Sequence, residues 1–146
     1  MGRRSKYSVA MVSWQQAEFA LTTIRRQVFI EEQMVPDALE WDGQDAVATH
    51  FLAVDGMEHA IACARLLSDG SLGRMAVLPA WRRQGVGRTL LAAAIDECRR
   101  QGFSQLKISA QVHATEFYRQ AGFIVHGDVY RDAGILHHDM RLELAP

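Results

Sequence analysis

The amino-acid sequence predicts an α/β protein of the α+β type, with a mixed, mostly antiparallel sheet of about six to seven strands and helices on both faces. Three observations carry this. Residues 49–79 contain three strand-like runs separated by tight turn signals, the pattern of an antiparallel meander. Residues 85–101 then change to a helical period. Beyond them, short apolar runs alternate with one more helical stretch. The resulting order, β-α-(α)-β-β-β-α-β-α-β-β, suits a sheet covered from each side.

Taken in order, "YSVAMV" (7–12) alternates and reads as the first strand. Ser13 caps a helix over "WQQAEFALTTIRRQVFIEEQ" (14–33), in which Ala17, Leu21, Ile24 and Val28 recur at helical spacing. Pro36 ends that helix or its extension, and residues 34–48 read as a loop with one short helix. "THFLAV" (49–54) and "HAIACARLLS" (59–68) are strands joined across Asp55-Gly56, a hairpin signal. "DGS" (69–71) turns the chain into "SLGRMAVLP" (71–79). Over 85–101, Val86, Leu90, Leu91, Ala94, Ile95 and Cys98 share one face, while Arg88, Asp96, Glu97, Arg99 and Arg100 take the other. Gly102 supplies the stop. "SQLKISA" (104–110) is a strand and 112–121 a helix closed by Gly122. "FIVHGDVY" (123–130) and "ILHHDMRLEL" (135–144) are the last strands, about a turn at Asp132–Gly134.

With 146 residues and 49% apolar content, residues 1–146 are expected to form one domain with an ample core. Sixteen basic against seventeen acidic side chains leave a net charge of −1, which recommends neither nucleic acid nor membrane as a partner. The start of the chain lacks the apolar segment of a secretory signal. Gly2 lacks the Ser or Thr that myristoylation wants where Lys6 stands. Cys63 and Cys98, each in an apolar pattern, read as buried thiols, and no metal site is expected. A cytoplasmic location follows from these expectations.

The stretch "WRRQGVGRTLL" carries the chemistry. It is not a Walker A loop, because Arg82 stands where the first Gly should be and Arg88 where Lys should be. Nor is it a dinucleotide fingerprint, whose third Gly is Leu90 here. What remains is a strand, Pro79, a basic loop, Gly-x-Gly and a helix. The first turn of a helix offers unpaired N–H groups and a positive dipole end. Glycines let an anion approach that backbone, and Arg82, Arg83 and Arg88 add charge. A capped surface helix with solvated arginines is the plain alternative.

On these residues the chain resembles the GNAT superfamily of acyl-CoA-dependent N-acyltransferases. Arg82, Gly85 and Gly87 fit that family's signature of Gln or Arg, then Gly, then Gly or Ala. Ala114, Tyr118, Gly122 and Phe123 fit its second motif, although Gln111 stands where Asn is common. "VFIEEQMVPDALEWDGQDAVATH" and "GILHHDM" further resemble the ElaA/YjcF-like small bacterial branch.

The resemblance implies a GNAT fold and N-acetyltransferase activity, with acetyl-CoA as co-substrate, no metal, and a small amine as acceptor; a homodimer is compatible with it. It implies that Met75, Ala76 and Val77 meet the pantetheine arm and acyl carbonyl. Arg83, Gln84, Gly85, Val86, Gly87, Arg88 and Thr89 would cradle the pyrophosphate, and Arg82, Gln111, Ala114 and Tyr118 would also contact the cofactor. Gly73 independently suggests a bulge or a close ligand approach in its strand.

Tyr118 is the candidate general acid, because a phenol with a reference pKa of about 10 stays protonated at neutral pH. For the base, the segment 31–45 holds Glu31, Glu32, Asp37, Glu40, Asp42 and Asp45 and no Lys or Arg. Glu32 or Asp42 is the candidate if the base is direct, with a water relay as the alternative. His137 and His138 point to opposite faces of a strand and form no chelating pair. His138 shares parity with Leu136, Met140 and Leu142 and reads as a hydrogen-bonded core histidine. His137 and His50 are the candidates for the acceptor pocket. Two other functions stay open: an acyl-CoA-binding domain without catalysis, and an acetyltransferase for protein N-termini or lysines.

Overall fold

The computed structural model describes residues 6–144, so Gly2 and the basic start lie outside the described residues. Seven strands form one sheet: β1 (Tyr7–Val12), β2 (Thr49–Asp55), β3 (Ala60–Leu66), β4 (Ser71–Val77), β5 (Gln105–Gln111), β6 (Ile124–Asp132) and β7 (Ile135–Glu143). Their spatial order is β1-β2-β3-β4-β5-β7-β6, and the β4–β5 pair alone is parallel. The sequence-based expectation of a mixed, mostly antiparallel sheet is met.

Helix α1 (Trp14–Arg25) starts as expected, with Ser13 and Gln16 in a reciprocal capping box. It does not run on as an α-helix. Residues Arg26–Glu32 widen into a π-helical turn, in which the Gln33 N–H reaches the Val28 carbonyl at 3.1 Å. The wider turn brings Glu32 and Gln33 to the edge of the central cleft. Leu21 and Ile24 of α1 and Val28 of the π-helical turn pack with Cys63 and Ala76 from the sheet. On the opposite face lies α3 (Val86–Gln101), where Val86, Leu90, Leu91 and Ala94 join Phe51, Ile61, Leu106 and Phe123 in the larger core. Among the described residues no helix is long and apolar enough to cross a membrane. Both cysteines are buried free thiols, and burial pushes Cys63 up to about 12.

The hairpin after β2 is wider than a two-residue turn. The Asp55 carboxylate accepts from the N–H groups of Met57 and His59, both at 2.9 Å, and organises residues 56–59 into a longer loop.

The segment between α1 and β2, with its short helix α2 (Asp37–Glu40), is the larger departure from expectation. Three of its carboxylates, Glu40, Asp42 and Asp45, join Arg25, Arg65 and Arg74 in a network of six charges. Arg25, with 1% of its surface exposed, donates to Glu40 at 2.9 Å and to Asp45 at 2.7 Å. Arg65 grips Asp42 at 2.8 and 2.9 Å and reaches Asp45 at 3.1 Å. Arg74 meets Glu40 at 3.1 Å and Asp42 at 3.4 Å. Hydrogen bonds from Arg65 hold Asp42 far below the usual carboxylate range. Burial pushes Asp45 up, but its bonds to Arg25 and Arg65 outweigh that and hold it low. At Glu40 burial wins and the carboxyl is raised.

Removing one partner of a buried ion pair leaves an uncompensated charge, at a cost of about 3–5 kcal/mol. Arg25→Met should therefore lower unfolding stability by about that amount in a urea titration at pH 7. The native Asp45 contribution is fully present above the unfolded carboxyl pKa of about 3.9 and is lost as pH falls through its depressed folded value. The difference between wild type and Arg25→Met should accordingly narrow as the pH is lowered through that range.

Candidate active site

Strand β4 does not stay beside β5. The two pair only at Ser71↔Lys107 and Leu72↔Ile108 and then part. The cause is local. Against β3, Arg65 pairs with Gly73 but Cys63 pairs with Ala76, so β4 carries one extra residue at a bulge. Arg74 sits in that bulge with a φ of 47°, and the Cys63 thiol donates to its carbonyl at 3.5 Å. Gly73 thus marked a real irregularity, one residue early. Beyond Leu72 the backbone of β4 that faces β5 has no ladder partner. A cleft of about 1340 Å³ opens there, lined by Met75, Ala76 and Val77 on one wall and Ser109, Ala110 and Gln111 on the other.

The start of α3 closes one end of the cleft. Gly85 takes a φ of 86° and turns the chain into the helix, and the first intrahelical bond runs from the Thr89 N–H to the Gly85 carbonyl at 3.0 Å. The N–H groups of Val86, Gly87 and Arg88 precede it and have no intrahelical acceptor. These three residues and Arg83 line the cleft. Free amides at a helix start suit an anionic group, and here they stand beside an opened strand edge.

Helix α4 (Thr115–Gln120) supplies Tyr118, whose hydroxyl lies 3.8 Å from the Met75 sulfur. Burial pushes this phenol up to about 12. Phe117 packs edge-on against it, and Ala114 also lines the cleft. Gln111 forms a mutual amide pair with Gln33, donating at 2.8 Å and accepting at 3.4 Å, which ties the end of β5 to the π-helical turn.

On the other face of β5, β7 and β6, a second set of groups lines the same cleft. His137 stands opposite Gln111, and Asp139 opposite Ser109. The Tyr130 hydroxyl donates to Asp139 at 2.6 Å and bonds the Ser109 hydroxyl, and its ring stacks on His137 at 5.9 Å.

The family model for the acetyltransferase (GNAT) domain matches residues 9–144. This chain belongs to the GNAT acetyltransferase family. It is 32% identical to the protein ElaA of Escherichia coli, over 92% of this chain and 98% of that one. It is also 32% identical to YjcF of Bacillus subtilis, described as an uncharacterized N-acetyltransferase, over 80% and 86%. The crystal structure of an acyl-CoA N-acyltransferase from Pseudomonas aeruginosa superposes with a TM-score of 0.81 at 29% identity, covering 94% of this chain and 99% of that one.

Within this GNAT fold the expected site residues separate. Met75, Ala76, Val77, Arg82, Arg83, Gly85, Val86, Gly87, Arg88, Gln111, Ala114, Tyr118, Glu32 and His137 line one cleft. Gln84 and Thr89 do not: Gln84 donates to the Ala80 carbonyl and Thr89 bonds Tyr7 and the Gly85 carbonyl. Arg82 faces the cleft with its guanidinium already engaged, donating to both Glu32 oxygens at 2.7 Å and to the Val77 carbonyl at 2.8 Å. That pairing holds Glu32 below its ordinary carboxyl range, so it is a poor base. Asp42 is a poorer one, because Arg65 occupies both its oxygens outside the cleft. His50 is also displaced from its expected place: it is buried against Trp14, with Nε2 on the Asp45 carbonyl at 2.9 Å.

The two C-terminal histidines do face opposite ways, but their burial is reversed from expectation. His137 is buried and bonded, while His138 is half-exposed with an unpartnered Nδ1. The sequence reading passed over Ser109, Tyr130 and Asp139; the i, i+2 spacing of His137 and Asp139 on one strand face was the signal available.

The two glycines of the loop have different roles. Gly85 is required by its left-handed backbone. A Cβ on Gly87 would meet the Phe117 ring at 3.4 Å and Val77 at 3.8 Å, ordinary contact distances, so packing within the protein does not by itself demand this glycine. Gly85→Ala should cost about 1–2 kcal/mol in urea unfolding. Gly87→Ala should stay within about 0.5 kcal/mol of wild type.

Proposed function

We propose that residues 1–146 form one acyl-CoA-dependent N-acyltransferase domain that transfers acetyl from acetyl-CoA to a primary amine of a small molecule by direct attack. The observation that carries this reading is the parted β4–β5 edge, which runs from the free amides of α3 to the Tyr118 hydroxyl. The N–H groups of Val86, Gly87 and Arg88, with Arg83 and Arg88 beside them, bind the pyrophosphate. Main-chain groups of Met75 and Ala76 hold the pantetheine arm and orient the thioester carbonyl. Gln111 and Ala114 line the arm from β5 and α4. Val77 contributes its side chain, because Arg82 takes its carbonyl. Glu32 neutralises Arg82 and fixes the loop.

No covalent intermediate on the enzyme is needed. Both cysteines are buried, and burial raises both thiols, Cys98 to about 11. The neutral amine attacks the thioester carbon, the C–S bond breaks, and the leaving thiolate needs a proton. Tyr118 supplies it. A phenol at about 12 does not rest as phenolate, so Tyr118 gives its proton as it receives the one leaving the acylated nitrogen.

Tyr118→Phe keeps the ring against Phe117 and Phe123 and removes only that donor. Acetyl-CoA-dependent thiol release across a panel of small primary amines should show wild-type turnover and a kcat lower by about 10²–10⁴-fold in the variant. Calorimetric CoA affinity should be close to wild type. A fully active, undestabilised Phe variant removes Tyr118 from the mechanism, and a wild type that binds CoA and acylates nothing makes the chain a binding domain.

A further inference from the structure

We propose that the acceptor amine binds as its ammonium ion to Asp139 on the face of β5–β7–β6 opposite α3, and is deprotonated there by Nε2 of His137. This rests on the acyltransferase reading and gives it an acceptor site and a base. Directly opposed residues on neighbouring strands share a face. The register places Gln111 with His137, Ser109 with Asp139, His126 with Asp139, and Tyr130 with His137. Alternate residues of β5, namely Leu106, Ile108 and Ala110, belong to the core under α3, so this set looks the other way. Ser109 and Gln111 are the first residues of that face beyond the Leu72↔Ile108 pair at which the sheet parts. The ammonium site therefore lies at the level of the opening, across the sheet from the acyl-CoA arm.

His137 is built for the role. It is 8% exposed and lines the cleft. Its Nδ1 lies 2.7 Å from the Ile135 carbonyl, which can only accept, so Nδ1 carries the ring proton. The neutral ring then keeps its lone pair on Nε2, and no described residue bonds that atom. Tyr130 stacks on the ring and fixes its plane. The same Tyr130 donates to Oδ1 of Asp139 and accepts from Ser109, which leaves Oδ2 without a bonded partner among the described residues, and Asp139 lines the cleft. The cations of this face, Lys107 and Arg141, pair with each other one rung farther from the opening. They lean toward Asp69 at 3.9 Å and Glu143 at 3.8 Å. A negative group and a free imidazole nitrogen thus stand side by side at the gap. That chemistry selects a primary ammonium over an alcohol or a thiol.

The protons balance. The ammonium N–H bond breaks and its proton passes to Nε2, giving a neutral amine and an imidazolium. The amine forms the new C–N bond, the C–S bond breaks, and Tyr118 exchanges one proton between the acylated nitrogen and the thiolate. The imidazolium returns its proton to solvent, so one proton is released per turnover.

The test uses the full chain saturated with CoA and labelled with ¹⁵N-histidine, titrated with benzylammonium and, separately, with benzyl alcohol. The His137 signals should report Nδ1–H and should move with benzylammonium but not with the alcohol. Asp139→Asn should abolish that shift. In turnover with acetyl-CoA and benzylamine, Asp139→Asn should raise the amine KM by at least about tenfold with the acetyl-CoA KM unchanged. His137→Asn preserves the bond to Ile135 and should lower kcat by about 10²–10⁴-fold. His137 signals that stay still, or that move equally in Asp139→Asn, overturn the acceptor site while normal CoA calorimetry leaves the acyltransferase reading standing. Absent CoA binding by wild type strikes that reading itself.

Discussion

Arg74 adopts a left-handed backbone in the middle of a strand, at a cost of about 1–2 kcal/mol that a residue with a Cβ does not bear without compensation. The compensation is its guanidinium, held by Glu40, Asp42 and the Glu40 carbonyl at 2.9 Å. Those acids are in turn held by Arg25 and Arg65. Three arginines and three carboxylates therefore sum to zero charge in a place where any one of them alone would be strongly unfavourable. The bulge, the parting of β4 from β5 and the cleft all depend on this arrangement.

The parted strands join two chemically different faces. On the α3 side, amides at a helix start and exposed arginines suit an anionic arm. On the other side, Asp139, Tyr130 and His137 suit a cation. In the proposed reading, the gap lets two substrates of opposite charge enter one cleft from opposite faces of the sheet. The Gln33–Gln111 pair and the Glu32–Arg82 pair border it, so the π-helical turn and the α3 loop are tied to its rim by neutral and charged bonds.

Much of the fold was legible because it is local. Ser13 announced its helix, Gly102 ended another, and the 3.6 period of α3 matches its buried face. The glycine-led start of α3 was legible for the same reason. What escaped the sequence depends on long-range partners. Asp42 looked free because Arg65 and Arg74 are 23 and 32 residues away. Glu32 looked free because Arg82 is 50 residues away. His137 is buried although it lies on the face opposite α3, because Tyr130 of the neighbouring strand stacks on it and the Ile135 carbonyl holds its Nδ1, contacts the strand's own pattern does not reveal. Gly87 was visible as a glycine, but its neighbour Phe117 belongs to another helix.

The central claim is that one acyl-CoA binds along the parted strand and over the start of α3. Amide shift mapping during a CoA titration tests it most directly. The account predicts that the largest shifts fall on Met75, Ala76, Val86, Gly87 and Arg88, with β1 and the outer face of α3 unmoved. Shifts confined to other elements, or none at saturating CoA, would contradict it.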